Sequence, residues 1–334
     1  MKFLIVGRGI VGSALYYILK KNGFEAMVIE PGEKKVFPTL IHSLLLKGKD
    51  VELAYRSLQF YKNIGIKLYE IPSFTIGNIS EDIIRLWEEY GVEISNKYLE
   101  ILETEGILAK NSDRLVDIGS MIRNVPYLKG RAKIIALEKE AKIIVDGKEY
   151  RGEDNIIILC AGAWSKYLIN INLPVKSYYC WASLGISRRE FDKLIIYDYV
   201  LGFYSRPFLN RGLPLIIAGN GKSIEAKPWE KIDIKSDEKE VLFKVKIRLK
   251  EFTKVLSLGS YCEATPDMRP TYGRIRDNLY YIGGLNGYGA EVGPGIAELL
   301  FNFIKGKEEI KEYNIERFSN WEENFEIGKE PHEL

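Results

Sequence analysis

Histidine is nearly absent from this chain: its 334 residues contain two, His42 and His332. That scarcity argues against a histidine-based metal centre, and no metal is expected. Cysteine is scarce too. Cys160, Cys180 and Cys262 are odd in number, widely spaced and part of no metal or redox motif. They suit a reducing cytosol, so a cytoplasmic location is expected. Charge of one sign is not in excess: the formal net charge is +2, with basic and acidic residues interspersed. Neither nucleic acid nor an anionic membrane is therefore expected as a partner. No apolar run is long enough to span a membrane, and the chain opens on a strand rather than on a signal-peptide pattern. Glutamine is almost missing while Lys, Glu, Ile and Tyr abound, a composition similar to that of thermophile proteins. What remains is ordinary globular material, with 46% hydrophobic residues. The length suggests about two domains.

The first thirty residues organise the rest. Phe3–Val6 is a short apolar run of the kind that forms a buried parallel strand. It runs into Gly7-Arg8-Gly9-Ile10-Val11-Gly12, a G-x-G-x-x-G turn. Val11–Lys21 then reads as a helix, Gly23 ends it, and Ala26–Ile29 is a second buried strand closing on Glu30. Strand, turn, helix, strand and terminal acid in this order form the βαβ dinucleotide fingerprint. Gly7 permits the tight turn, Gly9 lets backbone approach a pyrophosphate, and Gly12 lets helix pack on strand. A β-branched residue at Gly9 would fill the pyrophosphate's place. The phosphates sit on unpaired N–H groups at the helix N-terminus. Glu30 is placed to accept hydrogen bonds from ribose hydroxyls. An acid there also argues against a 2′-phosphate, which favours FAD or NAD over NADP.

Further along, Pro31-Gly32 is a turn, followed by a loop with Phe37, Pro38, Thr39, His42 and Ser43. Helices are expected over Asp50–Ile64, Ile83–Tyr90, Ile118–Asn124, Glu238–Phe252 and Ile296–Lys305. Ile66–Ile76 reads as a strand broken at Pro72, and Ile94–Leu108 has no clear period. Ala132–Leu137 reads as a strand, and Asp146-Gly147 marks a hairpin between Lys142–Val145 and Glu149–Arg151. Asn155–Cys160 is another buried strand, ending in the small residues Ala161-Gly162-Ala163. Pro174–Ile186 and Ile195–Tyr204 alternate as antiparallel strands do, and Pro214–Ala218 is a further strand before the turn Gly219-Asn220-Gly221. Tyr261–Gly273 reads as a loop, Leu279–Ile282 as a strand, and Gly283–Gly289 as too glycine-rich for regular structure. The middle of the chain is thus antiparallel and sheet-rich, unlike its two ends.

Five separated segments match one pattern. Gly7–Gly12 with Glu30, Ile156–Ser165 (IIILCAGAWS), Gly202–Pro207 (GFYSRP), Thr265-Pro266-Asp267 with Pro270 and Gly273, and Gly283–Glu298 fall in the order and spacing of one family. The chain resembles the FAD-dependent D-amino acid oxidase family, in the branch of sarcosine oxidase, glycine oxidase and dye-linked amino acid dehydrogenases. The resemblance covers essentially the whole chain. It implies an α/β fold: a Rossmann-like FAD domain built from discontinuous segments, with an inserted antiparallel-sheet substrate domain of α+β type. The expected division is 1–65, 114–172 and 263–334 for the cofactor and 66–113 and 173–262 for the substrate.

The function implied is hydride transfer from the carbon bearing nitrogen in a small amine or amino acid, followed by hydrolysis of the imine. The flavin supplies the redox chemistry and the protein positions the C–H bond. A dedicated base is unnecessary if the amine arrives neutral. Electrons would pass to oxygen, a carrier protein or a quinone. Alternatives are oxidation of a C–OH bond, as in hydroxy acids or glycerol phosphate, and a non-catalytic FAD subunit of a larger complex. A homo-oligomer or hetero-complex is compatible with either.

The resemblance implies cofactor contacts at Gly7, Gly9, Ile10, Val11, Gly12, Glu30, Pro31, His42, Ser43, Lys133, Ile134, Ala161, Gly162, Trp164, Gly284, Asn286, Gly287, Tyr288 and Gly289. Tyr204 matches a position whose hydroxyl contacts substrate in relatives. Tyr288 would wall the pocket, and His42 would polarise the flavin, titrate with substrate or simply pack beside the cofactor. Ser43 would bond the flavin or only its own turn. The departures matter as much. Glycine- and D-amino-acid-oxidising relatives carry a carboxylate-clamping Arg three residues before the Thr of the T-P-D-like loop; here Cys262 stands there. Sarcosine-oxidase relatives carry a Lys in the last loop where this chain has Glu291, and a flavin-linked Cys where it has Ser260. The FAD is therefore expected to be non-covalent. Arg206 and Arg269 become the candidate cations for a substrate carboxylate, and Glu291 would favour a cationic substrate group. The Tyr178-Tyr179-Cys180-Trp181 cluster reads as sheet packing rather than an aromatic cage.

Overall fold

A computed structural model describes residues 2–32, 40–150, 155–208 and 212–328. Phe37, Pro38, Thr39, Arg151 and His332 lie outside the described residues. Lys2–Val6 and Glu25–Glu30 are parallel strands joined by the helix Ile10–Lys21, as the fingerprint requires. Leu4 and Ile5 are buried on opposite faces of their strand, because helices and further strands cover both sides. The first sheet has six strands in the order Thr271–Arg276, Leu279–Gly283, Asn155–Leu159, Lys2–Val6, Glu25–Glu30, Tyr127–Lys129. All pairs are parallel except the Thr271–Arg276 edge. Strands far apart in sequence thus share one sheet.

The second sheet has ten strands, among them Lys176–Ser187, Leu215–Gly219, Phe203–Pro207, Ile195–Asp198, Leu68–Ile76 and Thr104–Val116. It is antiparallel except where Ile195–Asp198 runs parallel to Leu68–Ile76. Pro72 does not end the Leu68–Ile76 strand; the pairing shifts register between Ile71 and Ser73. A proline without an N–H is accommodated at such an irregularity. Ile94–Leu108 resolves into two strands, Glu93–Leu99 and Thr104–Val116. A third sheet of three strands carries the expected hairpin, Ala141–Val145 against Lys148–Tyr150.

Three expectations are corrected. Tyr261–Ala264 is not loop: it ends a strand, Phe252–Ala264, paired along its length with Lys176–Ser187. The preceding helix therefore stops at Leu249 and does not reach Phe252. The last helix starts at Gly289, inside the glycine-rich run, and continues to Ile304 across Pro294. Pro294 has no N–H to give the Ala290 carbonyl, and the Tyr61 hydroxyl donates to that carbonyl at 2.8 Å. The next N–H, of Gly295, donates to Ser57 Oγ at 2.9 Å. Tyr61 and Ser57 both lie on the helix Asp50–Asn63. The helices meet so closely that a Cβ at Gly295 would lie 2.3 Å from the Leu53 carbonyl oxygen. Among the described residues no helix is long and apolar enough to cross a membrane.

Candidate active site

The Gly7–Gly12 turn is close-packed backbone. Gly7 has φ +110°, and a Cβ there would meet the Cys160 carbonyl oxygen at 2.6 Å. A Cβ at Gly12 would meet the Gly7 carbonyl oxygen at 1.9 Å. The Ile10–Lys21 helix has glycine at its N-cap and no acid in its first turn. No side chain of its own first turn competes for its leading N–H groups, as suits a pyrophosphate. Glu30 Oε2 accepts the Arg8 backbone N–H at 2.8 Å, which holds the end of the second strand against the turn. The Arg8 guanidinium lies over the Tyr127 ring, 3.8 Å from its centre.

From this turn a cavity of about 560 Å³ runs between the two large sheets, within the usual size of a small-molecule or cofactor site. Gly9, Ile10, Val11, Gly162, Asn286, Gly287 and Gly289 line it, as expected of cofactor contacts. Cys160, Ala163 and Leu285 fill the same wall. The far wall is one face of the second sheet. Strand alternation puts Cys180 and Ala182, Tyr204 and Arg206, and Ser260 and Cys262 on that face, and all six line the cavity. Tyr204 is opposite Gly219, and its ring takes the space a side chain there would need.

Glu291, in the first turn of the last helix, lines the same cavity and is buried. Arg206 is buried too. Burial pushes its guanidinium below its usual value, while Tyr204, Glu291 and Tyr197 pull it back. The cavity thus holds a buried cation and a buried carboxylate close enough to act on each other. Tyr197, which also lines it, donates its hydroxyl to Asp113 Oδ1 at 2.9 Å.

Other candidates stand elsewhere. His42 does not line the cavity: it is fully buried, its Nε2 bonds the Ala54 carbonyl at 2.7 Å, and its ring packs edge-on against Tyr61. Burial, with Arg114 nearby, lowers its pKa to about 4. Tyr288 is buried with its hydroxyl donating to Asp50 Oδ2 at 3.0 Å, and Tyr313 donates to Asp50 Oδ1 at 2.5 Å. Arg269 lies over Tyr313 and 3.7 Å from Asp50, outside the cavity lining. Ser43 accepts the Leu45 N–H, a local turn bond. Trp164 is largely exposed beside Trp229. Lys133 and Ile134 lie in the third sheet, and Ile134 is buried in its core. Pro31, Ala161 and Gly284 are absent from the cavity lining; Gly284 has φ +63° and helps shape the glycine turn.

Sequence reasoning missed Glu263. It lines the cavity, is buried, and its Oε2 accepts the Gly284 N–H at 3.0 Å. Its own carbonyl accepts the Asn286 N–H at 3.0 Å, so one residue holds both ends of the glycine turn. Burial raises its pKa to about 7, with Gly284 N–H and the Tyr281 and Ser165 hydroxyls opposing. Reading Tyr261–Gly273 as loop gave it no strand position, and alternation alone would aim it away from the face that bears Ser260 and Cys262; its contact with Gly284 brings it to the cavity.

A family model, DAO, FAD dependent oxidoreductase, matches residues 128–302, just over half of the chain. The chain belongs to this family. Its fold agrees along the whole length with solved structures of low identity. Iminodiacetate oxidase from Chelativorans sp. BNC1 superposes with TM-score 0.75 at 17% identity, covering 94% of this chain and 98% of that one. L-proline dehydrogenase from P. horikoshii gives 0.77 at 18%, with 96% and 98% covered. Glycine oxidase from Geobacillus kaustophilus gives 0.73 at 15%, with 94% and 98% covered. No curated protein matches the chain by sequence. The α/β fold with a Rossmann-like FAD domain built from separated segments is therefore that of the DAO family, and FAD is its implied cofactor. The close-packed glycine turn, the helix N-terminus with no acid in its own first turn and the adjoining cavity fit that cofactor.

Proposed function

We propose that this FAD-dependent oxidoreductase oxidises a C–N bond in a small amino acid. The observation that carries this reading is that Arg206 and Glu291, both buried, line one cavity that adjoins the Gly7–Gly12 turn. Arg206, with the Tyr204 hydroxyl beside it, takes the substrate carboxylate; a guanidinium is suited to that bidentate contact. Glu291 faces the amine end and favours a cationic or hydrogen-bonding nitrogen there. FAD, when bound, supplies the two-electron oxidant. A phosphorylated alcohol would need clustered cations. Among the described lining residues the cations are Arg206 and Lys222, so the C–N reading is kept over C–OH oxidation. His42, neutral and bonded into the core, plays no part in this scheme. The division into cofactor segments 1–65, 114–172 and 263–334 and substrate segments 66–113 and 173–262 is supported by sheet membership. The exceptions are Leu40–Ser43, Arg114–Val116 and Glu263–Ala264, which belong to the second sheet.

Anaerobic titration of the flavin spectrum with amino acids, simple amines and hydroxy acids tests the reading. Bleaching by an amino acid is expected. In Arg206→Met the half-bleaching concentration should rise about 100-fold for the amino acid, as for truncation of a buried charge partner. The same amine without a carboxylate should be unaffected. Bleaching only by hydroxy acids, or an unchanged titration in the variant, would be evidence against it. The flavin itself we take to be non-covalent, because Ser260 stands at the linking position. Acid precipitation should leave all flavin in the supernatant, and a yellow pellet would refute this.

A further inference from the structure

Two cysteines that the proposed reaction does not use stand in the cavity wall. Cys180 lies on the Lys176–Ser187 strand and Cys262 on the Phe252–Ala264 strand. In their antiparallel pairing Cys180 faces Ser260 and Tyr178 faces Cys262, so the cysteines are diagonal neighbours on one face. Their Sγ atoms are 3.1 Å apart. Both are half-buried and both line the cavity, so a small molecule that enters it reaches both sulfurs. Cys160 is set apart, buried against the Val6 and Gly7 carbonyls.

We propose that Cys180 and Cys262 are a redox-modifiable dithiol in the cavity wall, which a small-molecule disulfide converts to an intramolecular disulfide. The chemistry is ordinary thiol–disulfide exchange. One protein thiolate attacks a sulfur of the small disulfide, breaks its S–S bond and releases one small thiol, leaving a mixed disulfide. The second protein sulfur, its proton given to solvent, attacks the first, breaks the mixed disulfide and releases the second small thiol. The two protein thiols are oxidised and the small disulfide is reduced to two thiols. The hydrogen bond with Cys262, and then burial, push the Cys180 thiol well above its usual value. Mere packing explains neither the sulfur contact nor the access of both thiols to one cavity. The bridge would tie the two strands together on the face that also bears Tyr204 and Arg206.

The test uses the flavin-loaded protein, reduced, freed of reductant and incubated with hydroxyethyl disulfide. After quenching with N-ethylmaleimide it is digested without reduction and mapped by mass spectrometry. The expected result is a peptide pair joined through Cys180 and Cys262, an intact mass lower by two hydrogens, and reversal by dithiothreitol. Cys160 should react only after denaturation. In Cys180→Ser, a near-isosteric change, Cys262 should stop at the mixed disulfide. Free thiols at both positions after incubation, a persistent mixed disulfide on wild-type Cys262, or a bridge between two chains would each overturn the proposal. None of these readouts depends on the substrate assignment.

Discussion

Gly12→Ala will give a chain whose first sheet does not form, whereas Gly9→Val will give a folded chain that holds no flavin. The two glycines are three residues apart and fail for different reasons. A Cβ at Gly12 would lie 1.9 Å from the Gly7 carbonyl oxygen and 3.1 Å from Cys160 Sγ. The first obstacle is backbone, pinned because the Gly7 N–H donates to the Ile29 carbonyl at 3.0 Å. Neither the helix nor the strand can yield without unpairing the sheet. Overpacking of a core typically costs about 1–3 kcal/mol, and a backbone collision of this depth exceeds that. It takes a large part of the roughly 5–15 kcal/mol that stabilises a native protein. Gly9, by contrast, lines the cavity. A valine there puts its methyls at the cavity wall, in the place expected for the pyrophosphate. Circular dichroism with a thermal melt reads the first effect, and the flavin absorbance of purified protein reads the second. A Gly9→Val variant that purified with full flavin would remove the ground for placing the pyrophosphate at this turn.

The contrast also shows which parts of the molecule were legible before folding. The βαβ opening was read to within a residue, since the helix begins at Ile10 rather than Val11. Its signals are local: apolar runs, glycines at fixed offsets, a terminal acid. The Phe252–Ala264 strand was missed because its middle is exposed on both faces, so Thr253–Leu258 shows no alternation. Its identity comes from pairing with Lys176–Ser187, some seventy residues earlier in the chain, which no local window contains. The last helix was placed too late because Gly289, Gly293, Pro294 and Gly295 each disfavour helix. Tyr61 and Ser57, on a helix far away in sequence, supply the partners that make it stable. Among site residues, position in the chain was easier to read than direction. Arg206 and Glu291 reach the cavity, but His42 and Tyr288 sit beside it in sequence and turn into the core. Side-chain direction at the ends of short elements depends on tertiary partners such as Asp50, and the sequence pattern does not show them.

Glu263→Gln will make stability climb with pH between pH 4.5 and 6.5, where the wild type shows little net trend. In the native protein burial raises the Glu263 carboxyl from 4.5 to about 7. Across that interval the native state holds a proton that the unfolded chain has released. Stability is thus greatest below the unfolded value and is lost as pH rises through the folded one. His42 acts with the opposite sign. Burial lowers its imidazole from 6.5 to about 4, so its contribution is present above pH 6.5 and is lost as pH falls through the folded value. Each shift corresponds to about 3 kcal/mol. In the wild type the two slopes oppose each other between pH 4.5 and 6.5, and together they leave little net trend. In Glu263→Gln only the histidine slope remains, so stability should climb with pH up to 6.5 and then level off. Above pH 7 the variant should be the more stable protein, by up to about 3 kcal/mol. Glutamine keeps an oxygen for the Gly284 N–H, so the glycine turn should survive the change. Urea midpoints of flavin-loaded protein at pH 4.5, 5.5, 6.5 and 8 measure this directly. A variant whose midpoints track the wild type at every pH would show that Glu263 is ionised in the native protein. The carboxyl would then hold the glycine turn as an anion.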